Sequence, residues 1–121
     1  MIRFALCLSL LASPALAFQA RNDVSVSGTA DQIVVAARPG LSSPESWCAA
    51  AEFVVRVLGM PSATRIYRVS PPPRRSGEDV MFSLSATNAS ERTGLLRIGT
   101  TDNSVSAGHA RALCDLGHPR F

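Results

Sequence analysis

Hydrophobic and polar positions alternate most cleanly in two stretches of the chain, and each reads as a strand with one dry face. In Asp23–Gly28 (DVSVSG), Val24 and Val26 alternate with Asp23, Ser25 and Ser27. In Val80–Ala86 (VMFSLSA), Val80, Phe82 and Leu84 point one way and Met81, Ser83 and Ser85 the other. Gln32–Ala37 (QIVVAA) is more continuously apolar, as a better-buried strand should be, and the short Gly28–Asp31 turn makes the first two strands a hairpin. Ala63–Ser70 (ATRIYRVS) is rich in β-branched and aromatic residues, with Ile66 on one face and Arg65, Tyr67 and Val69 on the other. A further strand is expected over Leu95–Thr101 (LLRIGTT), with Leu96 and Ile98 sharing a face.

The period changes to that of a helix over Ser43–Pro61. Trp47, Ala51, Val54, Val55 and Leu58 recur at three- and four-residue steps, while Glu45, Glu52 and Arg56 fall away from that stripe and Cys48 borders it. Ser43 is the expected cap, Pro44 suits the first turn, Glu45 complements the positive end of the helix dipole, and Gly59 and Pro61 stop it. A second helix is expected from Ser104 to Gly117, capped near Ser104 or Ser106, with Ala107, Ala110, Leu113 and Cys114 on its apolar side. The order β-β-α-β-β-β-α predicts an α+β fold, with two helices packed on one face of a mostly antiparallel four- to five-stranded sheet. Pro71–Asp79 (PPPRRSGED) cannot join a sheet ladder at its prolines and reads as a long surface loop.

The first residues alter this picture. Arg3, the apolar run Phe4–Ala12, the helix breaker Pro14 and small residues at Ala15 and Ala17 have the form of a secretory signal peptide cleaved after Ala17. The run is interrupted well before the roughly 20 apolar residues that a membrane span needs. Residues 18–121 are then expected to form a single small domain in the periplasm or outside the cell, with no transmembrane segment after cleavage. In size, leader and cysteine pair the chain resembles small exported proteins of Gram-negative bacteria. Cys7 leaves with the leader, and in an oxidising compartment Cys48 and Cys114 are expected to form a disulfide. Antiparallel packing of the two helices would bring those cysteines together and clip the helices to each other.

Charge narrows the choice of partners only a little. Every basic residue besides the two histidines is arginine, a bias that scattered positions ascribe to base composition rather than to recognition. Without Arg3 the chain carries eleven arginines against nine acidic residues, a net of +2, which gives no argument for nucleic-acid binding.

Candidate chemistry is sparse. Cys48 at a helix start, with His109 elsewhere, is the one nucleophile and base pair that the sequence suggests. Trp47, Cys48 and the Gly108-His109 pair are similar to the corresponding positions of secreted cell-wall amidases and peptidases of the CHAP type, in which a cysteine opens a helix and a histidine follows on a strand. That resemblance implies cysteine-dependent hydrolysis with Cys48 as nucleophile and His109 as base. Here, however, His109 falls in a predicted helix, no acidic or amide partner stands behind it, and Cys114 competes for the Cys48 sulfur. No cofactor or metal is expected, because His109, His118, Cys114 and Asp115 lack a recognised ligand spacing and His118 sits in the tail. The Pro71–Asp79 loop is the better candidate. Its prolines lower the entropy lost on docking, Arg74 and Arg75 can grip carboxylates or another anion, and Arg65, Tyr67 and Arg68 can extend that surface. The expectation is a non-enzymatic binding domain whose partner is an envelope protein or an anionic envelope component.

Overall fold

A computed structural model describes residues 17–96 and 102–115. The fold class expected from the sequence holds: two helices pack on an antiparallel sheet and a disulfide joins them. The sheet has six strands rather than four or five, in the order β1-β2-β3-β5-β4-β6. They are β1 (Phe18–Gln19), β2 (Ser25–Thr29), β3 (Gln32–Val35), β4 (Arg65–Arg68), β5 (Val80–Ser83) and β6 (Ser104–Ser106). The helices are α1 (Ser43–Arg56) and α2 (Ala107–Ala112), the latter followed by a 3-10 turn at Leu113–Asp115.

The hairpin of β2 and β3 closes through Ala30 and Asp31, with Thr29 opposite Gln32. Gly28 is required there. Its φ is +110°, and a Cβ on it would stand 2.0 Å from the Gln32 carbonyl oxygen. The strand period then sets the inner face, because register places Val26 by Val35, Val35 by Val80, Ile33 by Phe82, and Ile66 by Val105. All of these residues are buried. Arg68, opposite Phe82, belongs to the same inward row.

Helix α1 lies over this face and is buried along nearly its whole circumference from Ser46 to Val54, as its alanines at 49, 50 and 51 allow. Trp47 is at its centre, edge-on to Phe82 with ring centroids 4.7 Å apart. The cap is Ser42 and not Ser43: Ser42 has extended backbone angles and forms a capping box with Glu45 three residues on. The helix stops at Arg56, and Gly59 at φ +67° lets the Met60 N–H reach the Val54 carbonyl.

Partial burial disfavours the Glu45 carboxylate, but hydrogen bonds from the Ser42 hydroxyl and backbone and the charge of Arg38 outweigh it and hold the carboxyl below its usual range. A depressed folded-state value stabilises the fold above the unfolded value, and that contribution is lost as pH falls through the folded one. Glu45→Gln is therefore expected to be less stable than the parent at neutral pH and to converge on it as pH drops below about 4.3. Urea melts at a series of pH values check this, and a constant offset between the two proteins down to acid pH would refute it.

Other departures from the sequence expectation have local causes. Glu52 does not face solvent. It is 1% exposed and lies between Arg21 at 3.3 Å and Arg111 at 3.4 Å, so α1, α2 and the segment after β1 share one carboxylate. Ser83 is buried too, and β5 ends there, three residues short of Ala86. Ser104–Ser106 is a strand paired with β4 instead of a helix start, and Ser106 caps α2 through the His109 N–H. The strand expected at Leu95–Thr101 does not begin with Leu95 and Leu96, the latter being 95% exposed; its remainder lies outside the described residues, as do residues 1–16, His118 and Phe121. No helix among the described residues is long and apolar enough to cross a membrane.

A candidate recognition loop at one end of the sheet

Register explains why distant segments meet. Val35 pairs with Val80 and Arg68 pairs with Phe82, so the chain leaving β3, the chain leaving β4 and the chain entering β5 all emerge at one end of the sheet. Residues 36–40 and 69–79 therefore lie side by side, and the capped start of α1 lies at the same end.

The Pro71–Asp79 loop is fastened there at several points. The Asp79 carboxylate accepts the Ala37 N–H at 2.7 Å, and Arg74 Nη2 donates to the Arg38 carbonyl at 3.0 Å. Arg74 Nη1 donates to the Arg75 and Glu78 carbonyls at 3.2 and 3.1 Å and so closes the loop on itself. At the loop's root, Ser70 Oγ accepts the Met81 N–H at 2.9 Å. Arg38 is in turn held by Glu45 and by the Asn22 carbonyl.

The arginines named by the sequence have different fates. Arg75 is exposed and makes no side-chain hydrogen bond or ion pair among the described residues. Arg74 is half-buried and spent on backbone carbonyls, and its Nε is buried without a hydrogen-bond partner among the described residues. Arg65 lies on the outer sheet face, bonded to Asp102 at 2.6 Å and to Ser104 Oγ at 2.9 Å, with half-buried Tyr67 two residues along the same strand.

Arg68 does not extend the exposed surface. At 1% exposure it is turned inward, donating through Nε to the Ser70 carbonyl at 2.8 Å and through Nη1 to Ser43 Oγ at 3.1 Å and the Thr93 carbonyl at 3.4 Å. Trp47 Nε1 donates to the same Thr93 carbonyl at 2.9 Å. Gly94 makes this convergence possible, since a Cβ there would lie 2.6 Å from Ser43 Oγ, 2.7 Å from Arg68 Nη1 and 3.2 Å from Pro72 Cβ. Burial lowers the Arg68 pKa and the nearby Glu78 charge raises it, with burial the larger effect.

Arg74 borders two open clefts. One, of about 480 Å3, is lined by Pro71, Pro72, Pro73, Arg74, Arg75 and Glu78. The other, of about 490 Å3, lies between Arg38, Pro39 and Gly40 on one side and Arg74, Ser76 and Gly77 on the other. A third concavity, of about 510 Å3, lies near the outer sheet face and is lined by residues including Gln32, Val69, Met81, Ser83 and Thr87.

Arg38, Thr93 and Gly94 carry no signal of this role in the sequence. Pro39-Gly40 marks a turn, yet nothing in its spacing places it against residues 74–77.

Cys48 and Cys114 are bonded to each other, with Cα atoms 5.0 Å apart, and the sulfur that a hydrolase would use is in that bond. Cys48 is fully buried, whereas His109 is exposed on α2. Among the described residues no three His, Cys, Asp or Glu side chains gather as a metal site would require. No known protein family, curated protein or solved structure gives a match to this chain, so the reading of the site rests on its own geometry.

Proposed function

We propose that this chain is a small exported, non-enzymatic interaction domain that engages an envelope protein or an anionic envelope component through the Pro71–Asp79 loop. The observation that carries the reading is the fastening of that loop by Asp79, Arg74 and Ser70, which leaves Arg75 presented from a rigid edge. A loop ordered before binding loses less entropy on docking, and an arginine that is not already paired retains its full capacity for bidentate contact. The Cys48–Cys114 bond fits an oxidising compartment, in keeping with the signal-like residues 1–17.

Arg75→Glu is the discriminating variant, because the Arg74 side chain also supports the loop whereas, of Arg75, only the backbone carbonyl does, and the substitution keeps it. Cross-linking in the producing cell should recover a partner with the parent chain and lose it with Arg75→Glu, while the thermal melt of the purified variant is unchanged. Equal recovery with both chains would remove the loop from consideration.

A further inference from the structure

We infer that the two clefts bordering Arg74 form one continuous seat for an extended acidic peptide segment, an inference that rests on the binding role assigned above to the loop. Four features of the clefts lead to this occupant. The first cleft has two cationic walls, Arg38 and Arg74, a hydroxyl at Ser76, and no acidic residue in its lining. Arg38 is already paired with Glu45, but Arg74 meets only carbonyl oxygens and no carboxylate within 4 Å among the described residues, so its charge is uncompensated there. Gly40 and Gly77 leave this cleft open, since a Cβ on either would meet nothing within 4 Å. The second cleft adds Arg75 and an apolar shelf of Pro71, Pro72 and Pro73, with Glu78 as its single acidic residue.

A carboxylate seats in the first cleft by charge complementarity, and the chain that carries it lays an apolar residue on the prolines and a second carboxylate against Arg75. Each cleft is far larger than a small inorganic anion needs, and the proline shelf offers such an ion nothing. The combination of apolar shelf and separated cations matches a polypeptide in which acidic and apolar residues alternate. Main-chain extension of roughly 3.3 Å per residue lets such a segment reach from one cleft to the next.

The test uses the purified, disulfide-bonded chain and two decapeptides labelled at the N-terminus, fluoresceinyl-(Glu-Pro)5-amide and fluoresceinyl-(Gln-Pro)5-amide, with anisotropy as the readout. The glutamate peptide is expected to bind at least about tenfold more tightly than the glutamine peptide, a difference of one well-placed charge contact. Ser76→Asp, which adds a carboxylate to the first cleft at an exposed position, should weaken the glutamate peptide by about tenfold, whereas the isosteric Ser76→Asn should leave it unchanged. Equal binding of the two peptides, no binding of either, or an equal effect of Ser76→Asp and Ser76→Asn would overturn the inference. So would saturation by phosphatidylglycerol vesicles or by inorganic phosphate with no response to the glutamate peptide. If the peptide fails while the cellular cross-link still depends on Arg75, the acidic-peptide seat is wrong and the loop remains the binding surface. If the glutamate peptide fails and the cellular cross-link is also unaffected by Arg75→Glu, both readings fall together.

Discussion

Replacing Cys48 and Cys114 together with alanine is expected to lower the unfolding free energy by about 4 kcal/mol and Tm by roughly 20 °C. The two residues are separated by 66 positions, so their bond closes a loop covering more than half of the chain. In the chain-entropy account, that closure acts mainly on the unfolded ensemble, which loses conformations that it would otherwise gain on opening. The folded state keeps another connection between the same elements. Passing from Cys48 to Glu52 on α1 moves one turn forward, and passing from Cys114 to Arg111 moves one turn back, so the disulfide and the Glu52–Arg111 ion pair are neighbouring rungs between antiparallel helices. The double variant should therefore still fold, with native circular dichroism but a much lower urea midpoint. An intact mass about 2 Da below the dithiol form verifies the bond in the parent. A midpoint unchanged in the double variant would show that the cross-link contributes nothing to stability.

The second large effect is expected at Trp47. Trp47→Ala should cost about 3 to 5 kcal/mol, the range for emptying a buried aromatic site. Trp47 is fully buried, packs edge-on to Phe82, and donates its indole N–H to Thr93. Alanine loses the packing and the donor together, whereas Trp47→Phe keeps a ring in the site, loses the donor and leaves only a small cavity. The Thr93 carbonyl would still receive Arg68 at 3.4 Å, so the phenylalanine variant should lose less than the alanine one, about 1 to 2 kcal/mol. Because Trp47 is the sole tryptophan, far-UV circular dichroism in urea is the suitable readout for both variants. Equal losses for alanine and phenylalanine would show that the hydrogen bond, and not the ring, carries the effect.

Periodicity made four of the six strands and the course of α1 legible, though not its cap or the inward turn of Glu52, because Val24, Val26, Val80 and Phe82 mark a dry face without help from the rest of the chain. It failed where tertiary contacts override local pattern. β1 is two residues long and offers no period. β6 has one apolar residue, Val105, between two serines, and becomes a strand because Ile66 stands opposite it. Two inward charges were also hidden. Strand alternation from Ile66 puts Arg68 on the buried side, but a guanidinium is at home there only because Ser70, Ser43 and Thr93, two of them distant in sequence, supply oxygens. Glu52 turns inward for the same kind of reason, through Arg21 and Arg111. At the candidate site, the proline and arginine loop was visible from composition. Its tethering was not, since the Ala37–Asp79 contact follows from the pairing of β3 with β5.

The pairing of β4 with β6 has a consequence in time. The central helix is made early, but α2 and the turn carrying Cys114, which pack on it, are among the last described residues to be synthesised. At about 5 to 20 residues per second, the Cys48 thiol waits roughly 3 to 13 seconds for its partner to appear. Throughout that interval Trp47 and the alanines beside it have the first strands to rest on and no second helix. A nascent chain of this topology lacks these contacts until residues 104–115 have been made, and one stalled or clipped before them exposes the apolar surface that chaperones and proteases recognise.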